Sequence, residues 1–496
     1  MNKNILSTNN QHINPFEKIS GSAALSNPKI ILLFFVGVLF VGLVLAKLKM
    51  VGVGIFLALV VGTVYFNLLF KNPILGFYTA IGLNFIVLGL ARYIKGLPLG
   101  FAIDGIMIIT YLALIFSRFK ERVDWSPANK TITILAGLWL LYCIIQIANP
   151  EARMIEPWIA GRGVGFYFFF FLILTFMLID TNKKLDTFLY VWGVFSILAT
   201  LKGFVQMVFG VDYAEKAWLD NGGAETHILF GKLRVFSFFS DAGQFGGNQG
   251  YAGVVFLIYS MAKKGLPKIF FITVGLLGLY GMMISGTRGS IAVPFAGFMT
   301  FFVLRKNIKI ISMGFILVAL IFVFFKYTTI ANGNAQIRRM RTGFDPNNPS
   351  LMVRKANQAK LKVYLASRPF GGGIGHAGDK AQRFLPHAYL SNVATDSWYV
   401  MIWAELGIIG LVFHLAILFF TIGMASFKVM FRIRDPITKI KMSALISGMA
   451  GIMLASYGNA ILGGMPTALL FYASMAIMST PETFENEISE EIAISE

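Results

Sequence analysis

"GMMISGTRGSIAVPF", residues 281–295, sets Arg288 between two stretches that otherwise read as membrane helix. A guanidinium at the bilayer centre costs roughly 2.5–3.5 kcal/mol on insertion scales, so an arginine in such a run sits at a helix end, faces a polar cavity or serves a function. The runs around it decide the fold class. Apolar runs near the spanning length of about 20 residues recur from Ile30 to Met478, about fourteen of them. The chain has 496 residues, 56% hydrophobic and 14% charged, a balance far from that of soluble proteins and kept along the whole length. An all-α polytopic integral membrane protein is therefore expected, with residues 29–480 as one transmembrane domain.

Residues 1–28 are polar, and the run after them is too long for a signal peptide and lacks a small-residue cleavage site, so a retained first helix is expected. The single cysteine, Cys143, lies in an apolar run; it allows no intrachain disulfide and does not report the redox compartment. The net charge of +19 would suggest nucleic acid in a soluble protein. Here the lysines and arginines sit mostly at helix ends, which points to orientation rather than to nucleic acid. With residues 1–28 inside, alternate short loops carry Lys71, then Arg118 to Arg122, Lys183 and Lys184, Lys263 to Lys268, Arg305 to Lys309, and Lys428 to Lys441 on the cytoplasmic side. Lys47, Lys49, Arg92 and Lys95 fall outside in this scheme and run against it. The acidic tail 481–496, "PETFENEISEEIAISE", reads as solvated, disordered and cytoplasmic.

This orientation puts two longer loops, 210–245 and 327–396, on the outer face. The second is strongly basic and exceeds the length at which loop charge controls orientation. Its charge reads either as a headgroup-facing surface or as an attractor for an anionic substrate. Within it, 350–366 is helix-compatible, with Met352, Ala356, Ala359, Val363 and Ala366 on one face and Arg354, Lys355 and Lys362 turned away; Leu361 and Leu365 fall on the far side. Pro369 ends the helix, and Gly371, Gly372, Gly373 and Gly375 make a tight turn. Asp396 and Ser397 then stand at the outer mouth of the next span.

Three stretches in this order, "RVFSFFSDAGQFGGNQ" from Arg234, "SGTRGS" around Arg288, and "VRKANQAKLKVYLASRPFGGGIG" followed by "TDSWYVMIWAELGIIGL", resemble the O-antigen ligase and O-antigen polymerase family. The similarity covers residues 230–415. Its most specific part is an ordered series: arginine, helix, proline, glycine-rich turn, polar mouth, then E-x-G-x-x-G inside a span. The resemblance implies a GT-C-type glycosyltransferase of the bacterial inner membrane. Such an enzyme takes a glycan from undecaprenyl diphosphate on the periplasmic face, beneath a long periplasmic loop late in the chain. It further implies a glycan, lipid A core or protein acceptor, besides membrane lipids as surroundings.

The leaving diphosphate develops negative charge that planar, permanently charged guanidiniums hold in bidentate fashion. Arg288 and Arg234, at outer helix mouths beside glycines and serines, are the first candidates. Arg354 and Arg368 follow, with a surface-charge role as the alternative. The acceptor hydroxyl needs a general base. Family ligases commonly carry a histidine at the outer mouth in a pattern like H-N-x-Y; this chain has Asp396, Ser397, Trp398 and Tyr399 there. Asp396 and His387 are both candidates for the base, and Asp396 reads equally as an N-cap. His376 and His227 read as loop residues, and Asp104 and Glu405 as packing or hydrogen-bonded groups. The outer loops offer no D-x-D pattern or adjacent carboxylates, so metal-independent catalysis without a cofactor is expected. A lipid-linked oligosaccharide flippase or other transporter remains the alternative, although the halves show no internal repeat.

Overall fold

The computed structural model of the chain describes residues 56–57, 59–94, 99–117, 122–229, 231–333, 335–345 and 349–487. The readings made on residues 1–55, the first span included, lie outside these. The chain divides after Lys71 into two compact units. In the first, the described residues include α1 (Leu59–Lys71). The second holds α2 (Ile74–Leu90), α3 (Phe101–Ser117), α4 (Thr131–Ile145), α5 (Glu156–Leu178) and α6 (Asn182–Phe209). A short hairpin, β1 (Ile228–Leu229) with β2 (Lys232–Leu233), precedes α7 (Ala242–Tyr259), α8 (Gly265–Ile284), α9 (Arg288–Leu304) and α10 (Ile308–Tyr327). Two helices of the long loop, α11 (Ala335–Arg341) and α12 (Pro349–Leu365), lead to α13 (Trp398–Phe431), α14 (Pro436–Ala455) and α15 (Thr467–Ser479).

The protein is an all-α membrane protein. Among the described residues, 7 helices are long and apolar enough to cross a bilayer: α4 with its extension to Ala148, α5, α6, α8, α10, α13 and α14. This is half of the roughly fourteen runs read as spans. Helices α1, α2, α3, α9 and α15 occupy runs read as spans but are shorter. Helix α7 is not apolar enough, because it buries Gln244, Asn248 and Gln249. The two glutamine amides are satisfied inside the bundle. The Gln249 Oε1 accepts from Ser196 Oγ at 2.9 Å and Thr200 Oγ1 at 3.1 Å, and Gln244 Nε2 donates to Ala460 O at 2.8 Å. Packed against α8, α9 and α14, α7 is a core helix with little surface to offer to lipid.

Helix α13 is broken at Gly407, where φ is 68° and ψ is −173°. A membrane helix can be interrupted only where protein re-satisfies the freed backbone. The glycine turn of the long loop does this: Gly372 N donates to Ala404 O at 2.9 Å and Gly373 N to Glu405 O at 2.8 Å, while Tyr142 Oη donates to Leu406 O at 2.7 Å. The approach tolerates no side chain, since a Cβ on Gly407 would stand 1.9 Å from Pro369 O. The buried Glu405 carboxylate accepts from the backbone of Gly375 and Ala377. The turn is thus the clasp between the loop and a broken span.

In α12 the buried face is the reverse of the one expected. Leu361 and Leu365 are buried with Ala377, Leu390, Val393 and Ala404, whereas Met352 and Val363 are exposed. The two leucines are the larger apolar groups and take the core, and Arg354, seven residues before Leu361, shares their face.

Loops expected on one side do meet at one end of the bundle. Tyr78 Oη donates to Lys184 O at 3.1 Å, Asp186 pairs with both Lys263 and Lys441, and Lys306 Nζ donates to Met430 O at 3.3 Å. The opposite end joins Arg92 to Ser237 O, Asn149 to Gly371 O and Ser397 Oγ to Ser456 O. The acidic tail departs from expectation. Residues 481–487 form a helical turn with Phe484 buried, Glu482 paired to Lys428 at 3.1 Å, and Glu485 Oε1 accepting from the Arg434 and Asp435 backbone at 2.6 and 2.7 Å. Basic loop ends and one aromatic anchor hold this part of the tail.

Candidate functional site

At the end of the bundle that holds the glycine turn, four guanidiniums converge from four segments. Arg234 follows β2, Arg288 opens α9, Arg339 lies on α11 and Arg354 on α12. Arg234 donates to Thr226 O at 2.8 Å and Thr287 Oγ1 at 2.9 Å, and Arg288 to Thr342 Oγ1 at 3.0 Å. The methylene stem of Arg339 lies against Gly286, in the bend between α8 and α9. Burial, then the charges of Arg234 and Arg288, lower the pKa of Arg339 to about 10. Burial likewise lowers that of Arg234, with Asp241 opposing and Arg288 adding to it. The buried Nε atoms of Arg234 and Arg339 have no hydrogen-bond partner among the described residues. So much positive charge in a half-buried place, with donors unspent, is suited to a polyanion.

Asp396 borders this cluster. Its Oδ2 lies 3.5 Å from Arg354 Nε, and a Cβ on Gly458 would stand 3.9 Å from both Arg354 Nη1 and Gly289 Cα, so Arg354 closes on the start of α9. No capping bond of Asp396 to α13 is formed; Ser397 occupies the N-cap and its hydroxyl donates to Ser456 O at 3.2 Å. Asp396 also lines a cavity of about 840 Å³, walled by the ends of α3, α5 and α13, the glycine turn and the 460–465 loop. Arg162, Tyr167 and Trp398 are among its lining residues. Arg162 is held there by an ion pair with Asp104 and by the Phe101 ring, 4.1 Å from its guanidinium carbon. Every wall belongs to one end of the bundle.

Residues 273–415 match the family model described as O-antigen ligase. That stretch is therefore similar to the O-antigen ligase family. The matched stretch contains Arg288, Arg339, Arg354, Asp396 and the broken span, while Arg234 precedes it. No curated protein matches the chain.

In the fold, Arg288, Arg234, Arg354 and Asp396 come together, whereas His387 and Arg368 lie apart from them. His387 is exposed on the loop and is not part of the cavity wall. Arg368 pairs with Glu151 at 2.9 Å and covers the Tyr364 ring at 4.2 Å, pinning α12 to the α4–α5 loop. His227 is structural: its Nε2 accepts from Ala242 N at 3.2 Å and its ring packs between Trp218 and Phe236. Among the described residues no three His, Cys, Asp or Glu side chains gather as metal ligands. Arg339 was not singled out in the sequence, because "RRMR" offers three equivalent arginines. The buried Met340 beside it is the signal that sets the helix face. Arg162 was missed because its partner, Asp104, is remote in sequence.

Proposed function

We propose that this protein transfers a glycan from an undecaprenyl-diphosphate carrier to an acceptor hydroxyl on the periplasmic face of the inner membrane, as a surface-polysaccharide ligase or polymerase. The observation that carries this reading is the convergence of Arg234, Arg288, Arg339 and Arg354 beside a carboxylate that also lines a large cavity. In the proposed step Asp396 takes the proton of the acceptor hydroxyl, and the hydroxyl oxygen forms the new bond to the anomeric carbon. The bond from that carbon to the diphosphate breaks, and its electron pair leaves on the diphosphate oxygen. The guanidiniums hold the charge that develops there, a role that preorganised donors fill best where water is scarce. They stand in for a divalent cation, so the reaction needs no metal.

The family match supports a surface-polysaccharide ligase or polymerase in general terms. The architecture proposed is GT-C-like with about fourteen crossings, the shorter helices and α7 spanning along with the long ones. Loop charge supports a cytoplasmic end at Asp186 and a periplasmic end at the arginines. A flippase would need a passage reaching both ends of the bundle, and the lining of the cavity near Asp396 speaks for a one-sided site. Deleting the gene and resolving the surface polysaccharide on a gel separates the two enzyme readings. Loss of long chains above an intact capped core marks a polymerase. Finished chains accumulating on the carrier mark a ligase, and an unchanged pattern counts against both.

A further inference from the structure

Asn459 lies in the turn that leads from α14 into the 460–465 loop, and the transfer step leaves it without a role. Its backbone is fixed on both sides. Asn459 N donates to Ala455 O at 3.1 Å and Ile461 N to Asn459 O at 2.9 Å, while Gln244 Nε2 holds Ala460 O at 2.8 Å and Ile461 O at 3.0 Å. Ser456 O accepts from Trp398 N at 3.0 Å, which ties the same turn to the start of α13. The backbone does not call for asparagine here, since Asn459 is not among the residues with a left-handed φ.

The carboxamide is placed but unspent. A Cβ on Gly289 would stand 2.0 Å from Asn459 Nδ2, so the amide lies over the glycine that follows Arg288. A Cβ on the neighbouring Gly458 would stand 3.9 Å from Arg354 Nη1, and Arg354 in turn faces Asp396. Ala460, next in the chain, lines the cavity of about 840 Å³. Asn459 therefore stands where the arginine cluster meets the cavity. It is part-exposed, its amide makes no hydrogen bond among the described residues, and neither amide atom is sealed from solvent. Guanidiniums only donate and a diphosphate only accepts, so these two satisfy each other without Asn459. A carboxamide both donates and accepts, and its counterpart is a group that does the same, such as a sugar hydroxyl or an acetamido substituent. We propose that Asn459 is a further substrate-contacting residue, its carboxamide hydrogen-bonding a hydroxyl or acetamido group of the sugar ring next to the diphosphate. The inference rests on the glycan-transfer reading for the identity of the ligand.

The test uses the whole chain in phosphatidylcholine nanodiscs and calorimetric titration of three probes: geranyl diphosphate, and the same molecule carrying glucose or N-acetylglucosamine on its terminal phosphate. Asn459→Ala should weaken at least one sugar-bearing probe roughly five- to thirtyfold, the usual worth of one or two hydrogen bonds. Its affinity for geranyl diphosphate should stay at the wild-type value, which also shows that the variant is folded. A loss confined to the N-acetylglucosamine probe assigns the contact to the acetamido group, and a loss with both probes assigns it to a hydroxyl. Gly289→Ala, whose methyl group must push the carboxamide aside, should reproduce the loss. Unchanged affinity of Asn459→Ala for both sugar-bearing probes, or an equal loss for geranyl diphosphate, overturns the inference, as does a Gly289→Ala variant that binds like wild type. A sugar-selective loss in a chain that transfers no glycan would sink the transfer reading and leave the sugar contact in place.

Discussion

Arg288 is where a single substitution separates charge from geometry. Lysine keeps the positive charge and loses the planar fork, so if two-point contact with a diphosphate matters, Arg288→Lys should lower turnover roughly a hundred- to thousandfold at matched expression, with Arg234→Ala in the same range. Near-normal turnover of Arg288→Lys would reduce it to a snorkelling helix end. Asp396→Asn tests the base. Because Asp396 makes no capping bond to α13, the amide should leave the fold intact and fall on the chemical step alone, visible as a loss of kcat with little change in melting temperature. A matched loss of both would mean a structural carboxylate. The sequence singles out Arg288 and Arg234 as candidates because each stands at a helix mouth beside glycines and serines. Arg339 was not legible there, since its meaning comes from Gly286 and Arg234, remote in sequence and brought near only by the fold.

The broken helix α13 shows what pattern reading can and cannot reach. The E-x-G-x-x-G series was visible as Glu405, Gly407 and Gly410, and the glycine run as a turn. That one satisfies the backbone of the other is a long-range fact with no periodic signature. Gly407→Ala should cost about 1–3 kcal/mol for its backbone region alone, before the clash with Pro369 O, and should lower the melting temperature in detergent markedly. Gly423→Ala in the same helix, with no atom within 4 Å of the added Cβ, is the control and should be neutral or slightly stabilising. Equal effects would mean that the loop clasp contributes nothing. In α12 the period was read correctly and the face wrongly, because three alanines with Met352 and Val363 were set above the two leucines of the far side; side-chain size decides which face is buried.

For the molecule as a whole, composition sufficed for an all-α membrane protein, and loop charge grouped the loops that meet at each end. A cysteine at Val363, 80% exposed on α12, should react with an impermeant thiol reagent in spheroplasts, and one at Lys264, at the other end, should not; Cys143 is buried and adds no background. The reverse pattern would turn the arginine site toward the cytoplasm. The most direct measurement of the central claim is made on purified protein in nanodiscs, given an undecaprenyl-diphosphate-linked glycan and an acceptor, with and without excess EDTA. The account predicts a glycosylated acceptor and free undecaprenyl diphosphate in equal amounts, unchanged by the chelator. An intact donor that is merely moved between leaflets, or transfer that stops with EDTA and returns with magnesium, would contradict it.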